Sequence, residues 1–319
     1  MNVNELKTKV LDGYTVTKSD AMELYNAPLD ELCSAADEIR RHFCGNKFDI
    51  CTIINGKSGK CSENCKYCAQ SAFYHTNVEE YSLLSTEEIV KQAKYNDERG
   101  VLRYSIVTSG KKLSDDEVDK MCDVVRTIRR ETDIDVCASF GLLNEEQFAK
   151  LKSAGVSRVH NNIETSRNNF PNVCTTHTFD DKIATIKAAQ KAGLNVCSGG
   201  IMGLGETVED RIDMALTLRE LGIQSVPINM LNAIKGTPYE NNPKLTNDDM
   251  CRIAAVYRFI LPTASIRLAG GRGLLPDKGE KCFQSGANAA ISGDMLTTSG
   301  ISIETDMQLL DKLNYKAEL

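Results

Sequence analysis

Ile134-Asp-Val-Cys-Ala-Ser-Phe-Gly-Leu-Leu-Asn144-Glu-Glu-Gln-Phe-Ala-Lys-Leu-Lys-Ser-Ala-Gly155-Val-Ser-Arg-Val-His160 holds one complete unit of this chain's architecture. Ile134–Ser139 is a short β-branched run. Asn144-Glu-Glu-Gln147 is a capping box that opens a helix, because the first side chain accepts from a helical N–H while the last reaches back. Gly155 marks the helix end, where a left-handed cap costs glycine little. Ser157–Ile163 then reads as the next strand. The same unit recurs outward in both directions. Strand-like runs lie at Phe48–Asn55, Leu102–Val107, Leu194–Ile201, Gln224–Met230, Ala264–Leu268 and Ala289–Ser292. Helix starts are marked at Ser85, Ser114, Thr178, Thr207 and Thr246, and further stops at Gly100, Gly193 and Gly222. A strand–helix alternation of about 30 residues implies right-handed crossovers and a parallel sheet. About eight strands favour a (β/α)8 TIM-type barrel over a doubly wound sheet.

The pattern divides the 319 residues into a helical N-terminal extension (1–47), a barrel (48–293) and a C-terminal extension (294–319) of one domain. Within the extension, Lys18–Phe43 reads as helical, with Leu29, Leu32, Cys33, Ala36, Ile39 and Phe43 on one apolar face. Net charge is −6 with no dominant basic patch, which argues against nucleic acid or an anionic membrane as main partner. No apolar run approaches a membrane span. Met1 to Asp20 is polar and unlike a signal peptide, and twelve cysteines without one point to a reducing cytoplasm and metal binding.

In a barrel of this kind chemistry sits at the carboxyl ends of the strands. Directly after the first strand comes Cys61-Ser-Glu-Asn-Cys65-Lys-Tyr-Cys68. Three thiolates on one short loop hold three corners of an iron–sulfur cube and leave the fourth iron open to a small molecule. A closed zinc site takes four ligands in spaced pairs, whereas only His75 lies near these three. A ferredoxin run has a different first spacing and a following proline.

The C-x3-C-x2-C spacing with an aromatic before the last cysteine is the signature of radical S-adenosylmethionine enzymes. From about Phe43 to Leu313 the chain further resembles the biotin synthase family, through Ser58–Ser71, Asn161-Asn-Ile-Glu-Thr-Ser166, Val196-Cys-Ser-Gly-Gly-Ile201, Gly203-Leu-Gly-Glu-Thr207, Ser225-Val-Pro-Ile-Asn-Met-Leu231, Lys235-Gly-Thr-Pro238, Ile266-Arg-Leu268 and Gly286-Ala-Asn288. The resemblance implies radical insertion of sulfur into dethiobiotin. A 5′-deoxyadenosyl radical comes from S-adenosylmethionine at a [4Fe-4S] cluster on Cys61, Cys65 and Cys68, and the sulfur comes from an auxiliary iron–sulfur cluster. It also implies that Tyr67 covers the cluster or the adenine, with ordinary packing as the other reading. Asn162, Glu164 and Lys182 then contact the cofactor. Asn162 and Asn229 hold the substrate's ureido ring, with solvated strand-end caps as the bland alternative.

The resemblance places Cys137, Cys197 and Arg267 at the auxiliary cluster, and a charge in a β-run is costly to bury without a partner. A third auxiliary cysteine is usual on the second strand, where this chain has Ser105, a poor replacement for a soft thiolate. Cys51 is the candidate substitute, because alternation puts Cys51, Ile53 and Asn55 on one strand face; Cys44 is a weaker one. A ligand moved to strand one favours a four-iron auxiliary cluster over [2Fe-2S]. Cys33, Cys122, Cys251 and Cys282 read as structural, and Cys174 has no assigned place. A flavodoxin or ferredoxin reductant and a homodimer complete the expected partners. The rival readings are a hydrogenase-maturase or methylornithine-synthase type of radical enzyme, and a cluster carrier.

Overall fold

In the computed structural model, which describes residues 2–319, the strands close on themselves. They are β1 (Lys47–Lys57), β2 (Arg103–Thr108), β3 (Asp135–Ser139), β4 (Val156–His160), β5 (Asn195–Cys197), β6 (Gly200–Met202), β7 (Ser225–Met230), β8 (Ser265–Leu268), β9 (Ala289–Ser292) and β10 (Lys316–Ala317). All pairings between strands are parallel, in the order β1-β2-β3-β4-β5-β7-β8-β9, and β1 pairs with β9 to close the ring. This is the eight-position parallel barrel expected.

The run Leu194–Ile201 forms two strands instead of one. Cys197 pairs with Ser225 and Gly200 with Ile228, and Pro227 lies between. Proline has no N–H to give the ladder, so the strand breaks opposite it. A Cβ on Gly199 would stand 1.9 Å from the Pro227 carbonyl oxygen, and one on Gly200 2.3 Å from that of Glu164. The glycine pair is thus what lets this wall close.

All six boxes read from the sequence form, at Ser85, Ser114, Asn144, Thr178, Thr207 and Thr246. Gly155 caps its helix at φ 111°. Lys18–Phe43 is not one helix: Lys18–Tyr25 and Leu29–Cys44 are separated by Ala27-Pro28, because proline disfavours a helical residue before it. A further helix, Val3–Leu11, precedes them and lies on Leu29–Cys44. These helices cover the outer layer beside Val208–Glu220 and Asn247–Ile260. At the amino end of the barrel Phe48, Phe283 and Tyr315 meet edge to face. The buried Arg258 is satisfied there by the carbonyls of Gly286, Pro262 and Ala264 and by Asn288 Oδ1, which accounts for the Gly286-Ala-Asn288 motif. Among the described residues no helix is long and apolar enough to cross a membrane.

Candidate active site

At the carboxyl ends of the strands lies a cavity of about 410 Å³, the size of a small-ligand site. Its lining takes in Cys61, Tyr67 and Cys68 from the loop after β1, and Cys51, Cys137, Cys197 and Arg267 from β1, β3, β5 and β8. Two sets of thiols, one on the loop and one on the strands, thus face one chamber.

The cysteine loop is fixed by backbone bonds. Cys61 N–H donates to Gln70 O, Ala72 N–H to Cys61 O and Lys66 N–H to Val173 O. Asn64 Oδ1 accepts from the N–H groups of Thr175 and Thr176. Tyr67 packs beside a small apolar group of Val173, Leu204 and Leu231. Burial, then the neighbouring Glu164, pushes its phenol well above the ordinary range.

Cys65 reveals something the sequence reading missed. Its Sγ lies 3.7 Å from Cys174 Sγ, Cys174 Sγ is 3.3 Å from His177 Nδ1, and His177 Nδ1 is 2.6 Å from Glu63 Oε2. Among the described residues, Cys65, Cys174 and His177 form the group of possible metal-ligand atoms that lie within 4.8 Å of one another. Donors this close suit a single ion. The corners of a cube spread wider, since each thiolate binds a different iron, and an ion here would take Cys65 from the cube. The single Cys174-Thr-Thr-His177 spacing was the one local hint of this contact.

Deeper in the barrel, Cys51 faces the cavity with Ile53, as alternation required, while Asn55 donates its amide to Leu296 O. Ser105 also lines the chamber, in register with Cys137. Cys44 does not; its Sγ lies near Arg258 and the carbonyls of Pro262 and Thr263. Arg267 Nη1 stands 3.1 Å from Cys51 Sγ and donates to the carbonyls of Asp49 and Ala290. Its Nη2 is 2.7 Å from Asp49 Oδ2. The same carboxylate pairs with Arg103 at 3.3 Å and Arg158 at 3.2 Å. Asp135 shares Arg103 at 2.9 Å. Three guanidiniums and two carboxylates leave a net positive charge facing three sulfurs. Burial pushes the Cys51 thiol up to about 11 and the Cys137 thiol up to about 12. Burial acts likewise on Cys197, but His160, Arg267 and Arg158 outweigh it and bring that thiol down to about 6. Asp49, Arg103, Arg158 and His160 were not singled out from the sequence, because no local motif marks them and their partners come from distant strands.

The polar rim follows β4. Asn162 and Glu164, expected at the end of the run Ser157–Ile163, lie just beyond the strand, because the ladder ends at His160 and not at Ile163. Asn162 Oδ1 accepts from Gly199 N–H at 3.0 Å. Glu164 adopts φ 69°, a costly backbone for a non-glycine residue. Its Oε1 is 3.8 Å from Lys182 Nζ, and its buried Oε2 has no partner. Asn229 donates to Gly200 O at 2.9 Å and accepts from Gly270 N–H at 2.8 Å, clipping β7 to both neighbouring walls.

The residues present fit the groups the resemblance implied. Soft thiols suit iron–sulfur clusters, the Arg–Asp network suits an anionic centre, and unpartnered buried atoms such as Glu164 Oε2 and Arg158 Nε await a polar ligand.

Comparison with known proteins accords with this geometry. Residues 57–218 match the Radical SAM superfamily, and residues 227–316 match the Biotin and Thiamin Synthesis associated domain. A biotin synthase of Brachyspira hyodysenteriae is 63% identical over 319 residues, covering 100% of this chain and 96% of that protein. One of Akkermansia muciniphila is 57% identical, covering 99% and 98%. Among solved structures, a methylornithine synthase superposes with TM-score 0.86 at 20% identity, covering 98% of this chain and 97% of that one. A maturase of the [FeFe]-hydrogenase does so with TM-score 0.83 at 21%, covering 98% and 74%. These two report the barrel alone. Full-length identity to the curated relatives decides the family: the chain belongs to the biotin synthases of the radical S-adenosylmethionine superfamily.

Proposed function

We propose that this chain catalyses radical insertion of sulfur into dethiobiotin to form biotin, consuming S-adenosylmethionine. The observation that carries the reading is a single cavity lined both by the loop thiols Cys61 and Cys68 and by the deeper set Cys51, Cys137 and Cys197 beside Arg267. When bound, the loop cluster supplies the electron that cleaves the sulfonium bond and yields the 5′-deoxyadenosyl radical, and the auxiliary cluster supplies the sulfur.

The chain's own residues bind, orient and shield. Cys61, Cys65 and Cys68 hold the loop cluster, and Tyr67 covers it. Glu164 accepts from the cofactor's ribose hydroxyls through its free oxygen. Lys182 pairs with the cofactor carboxylate as a point charge, without the fork an arginine offers. Asn162 and Asn229, already tied to backbone, have a lone pair and an N–H left for the ureido group of dethiobiotin. Arg267, fixed by Asp49, holds its Nη1 toward the auxiliary sulfurs. The cavity within the barrel shields the radical from water.

In the same reading Cys51, Cys137 and Cys197 ligate a four-iron auxiliary cluster, in keeping with Ser105 in the second-strand position. Residues 1–47 and 294–319 are extensions of one catalytic barrel domain, 48–293. The enzyme works in the cytoplasm as a homodimer, reduced by a flavodoxin or ferredoxin. The test is anaerobic reconstitution with iron and sulfide, followed by S-adenosylmethionine, dethiobiotin and a reductant. Biotin is expected. Formation of 5′-deoxyadenosine without biotin refutes sulfur insertion.

A further inference from the structure

Cys174 and His177 stand behind the cysteine loop, and the sulfur-insertion chemistry uses neither. Both are buried. They lie on the short connection between the helices Phe170–Val173 and Phe179–Lys191. That connection is clamped to the loop on either side of Cys65. Lys66 N–H donates to Val173 O, and Asn64 Oδ1 accepts from the N–H groups of Thr175 and Thr176. The ring of Phe170 meets that of His177 edge to face at 5.6 Å and fixes the imidazole. Backbone bonds and packing thus bring three donor atoms together with no ion to gather them. Their spacing is that of one metal's shell. Tetrahedral zinc binds sulfur at about 2.3 Å and nitrogen at about 2.0–2.1 Å, which sets two sulfurs roughly 3.8 Å apart and a sulfur and a nitrogen about 3.5 Å apart. Here Cys65 Sγ and Cys174 Sγ are 3.7 Å apart, and Cys174 Sγ and His177 Nδ1 are 3.3 Å apart. All three atoms lie within 4.8 Å of one another. Glu63 Oε2, 2.6 Å from the same nitrogen, puts a carboxylate beside the fourth position.

We propose that Cys65, Cys174 and His177 form a mononuclear zinc site in the cluster-free chain, and that zinc held there excludes the loop cluster. The exclusion rests on the reading that Cys65 is one of that cluster's three ligands. Its sulfur, once given to zinc, leaves only Cys61 and Cys68 for the cube. Two thiolates balance the charge of the divalent ion, so the complex is neutral, which is what burial requires. As Zn2+ enters, the two thiols release one proton each, and the imidazole binds as the neutral ring. Sulfur and nitrogen donors prefer zinc to iron(II) in the divalent series. The ion that blocks the loop is therefore not readily displaced by the one that builds the cluster. Zinc at this position holds the chain folded and cluster-free until it is withdrawn.

The experiment uses the full-length chain, reduced and cluster-free, under anaerobic conditions. Zinc is titrated against a chromophoric chelator, and Co2+ serves as its coloured substitute. The variants are Cys174→Ser, His177→Ala and, as a control for the deeper thiols, Cys51→Ala. Removing a ligand should weaken zinc binding by more than the roughly 10–100-fold that loss of an outer-shell partner costs. The thiolate-to-Co2+ absorption should fall in Cys174→Ser and His177→Ala and persist in Cys51→Ala. Cys174→Ser is close to isosteric, so a loss there with an unchanged urea midpoint reports a ligand and not the fold. One equivalent of zinc, added before iron and sulfide, should abolish in the native chain the reduced-cluster electron paramagnetic resonance signal that shifts with S-adenosylmethionine. The same zinc should leave that signal in Cys174→Ser and His177→Ala. Equal zinc affinity in the native chain and both variants overturns the proposal. So does a native chain that holds zinc and still assembles the loop cluster. If the zinc-free native chain forms neither that signal nor 5′-deoxyadenosine, the functional reading falls instead, and the zinc site is judged on the Co2+ spectra.

Discussion

Arg267 reaches across the floor of the barrel from β8 to Asp49 on β1, Nη2 to Oδ2 at 2.7 Å, and this contact holds its other terminal nitrogen 3.1 Å from Cys51 Sγ. Asp49 is 6% exposed and anchors Arg103 and Arg158 as well. Asp49→Asn leaves three guanidiniums without their common counter-charge. Breaking a buried pair by removing one partner costs about 3–5 kcal/mol. Urea denaturation of the cluster-free chain should show a loss of that order, and the reconstituted variant should hold less auxiliary iron.

Cys51→Ala tests the auxiliary ligand set. Iron analysis should fall by the auxiliary complement alone, because Cys61, Cys65 and Cys68 stand on a separate loop. The variant should still form 5′-deoxyadenosine and should form no biotin. Unchanged iron and unchanged biotin would remove Cys51 from the site.

Glu164→Ala should weaken S-adenosylmethionine binding. The buried, unpartnered Oε2 is offered to a ligand, and hydrogen bonds to a charged group contribute about 1.5–3 kcal/mol, roughly ten- to more than a hundredfold in Kd. Equilibrium dialysis of the reconstituted enzyme measures it, and Glu164→Gln should retain part of the affinity.

Gly199→Ala places a methyl group 1.9 Å from the Pro227 carbonyl oxygen. Backbone cannot yield as a flexible side chain does, so a penalty at or above the usual 1–3 kcal/mol of overpacking is expected, read as a lower urea midpoint. Dethiobiotin turnover should fall with it, since Asn162 and Asn229 are tied to the same wall.

Asp210 gives a pH signature. Burial pushes its carboxyl up, but hydrogen bonds from Ser166 and from the Thr207 N–H and hydroxyl outweigh this, and the folded pKa lies below the ordinary value. A depressed folded pKa adds stability above the unfolded pKa of about 3.9, and that stability is lost as pH falls through the folded value. Asp210→Asn should therefore cost about 1–2 kcal/mol at neutral pH, as loss of a capping partner does. The gap to the native chain should narrow below about pH 4 in a pH series of urea midpoints.

The local signals were legible because they are satisfied within a few residues. Capping boxes such as Asn144 with Gln147 join N–H groups and side chains three positions apart, so their spelling suffices. The Cys61–Cys68 spacing and the strand–helix period are of the same kind, and the period leads to a parallel barrel through the handedness of its crossovers. Two local readings failed where a proline intervened, at Pro28 in the N-terminal helix and at Pro227, whose missing N–H splits a strand on the neighbouring chain segment.

The sequence by itself determined the element types, the barrel class, the loop thiols and the face on which Cys51 lies, because those follow from periodicity and short-range bonding. Only the tertiary structure decided that Asp49 binds three arginines, that Cys174 and His177 stand behind Cys65, and that Glu164 keeps an unpartnered oxygen in the cavity. Such contacts join residues fifty to more than two hundred positions apart, and they form only when ring closure brings β1 beside β9 and the loops onto one end. Charge and burial at those points belong to the closed barrel and to no single segment of it.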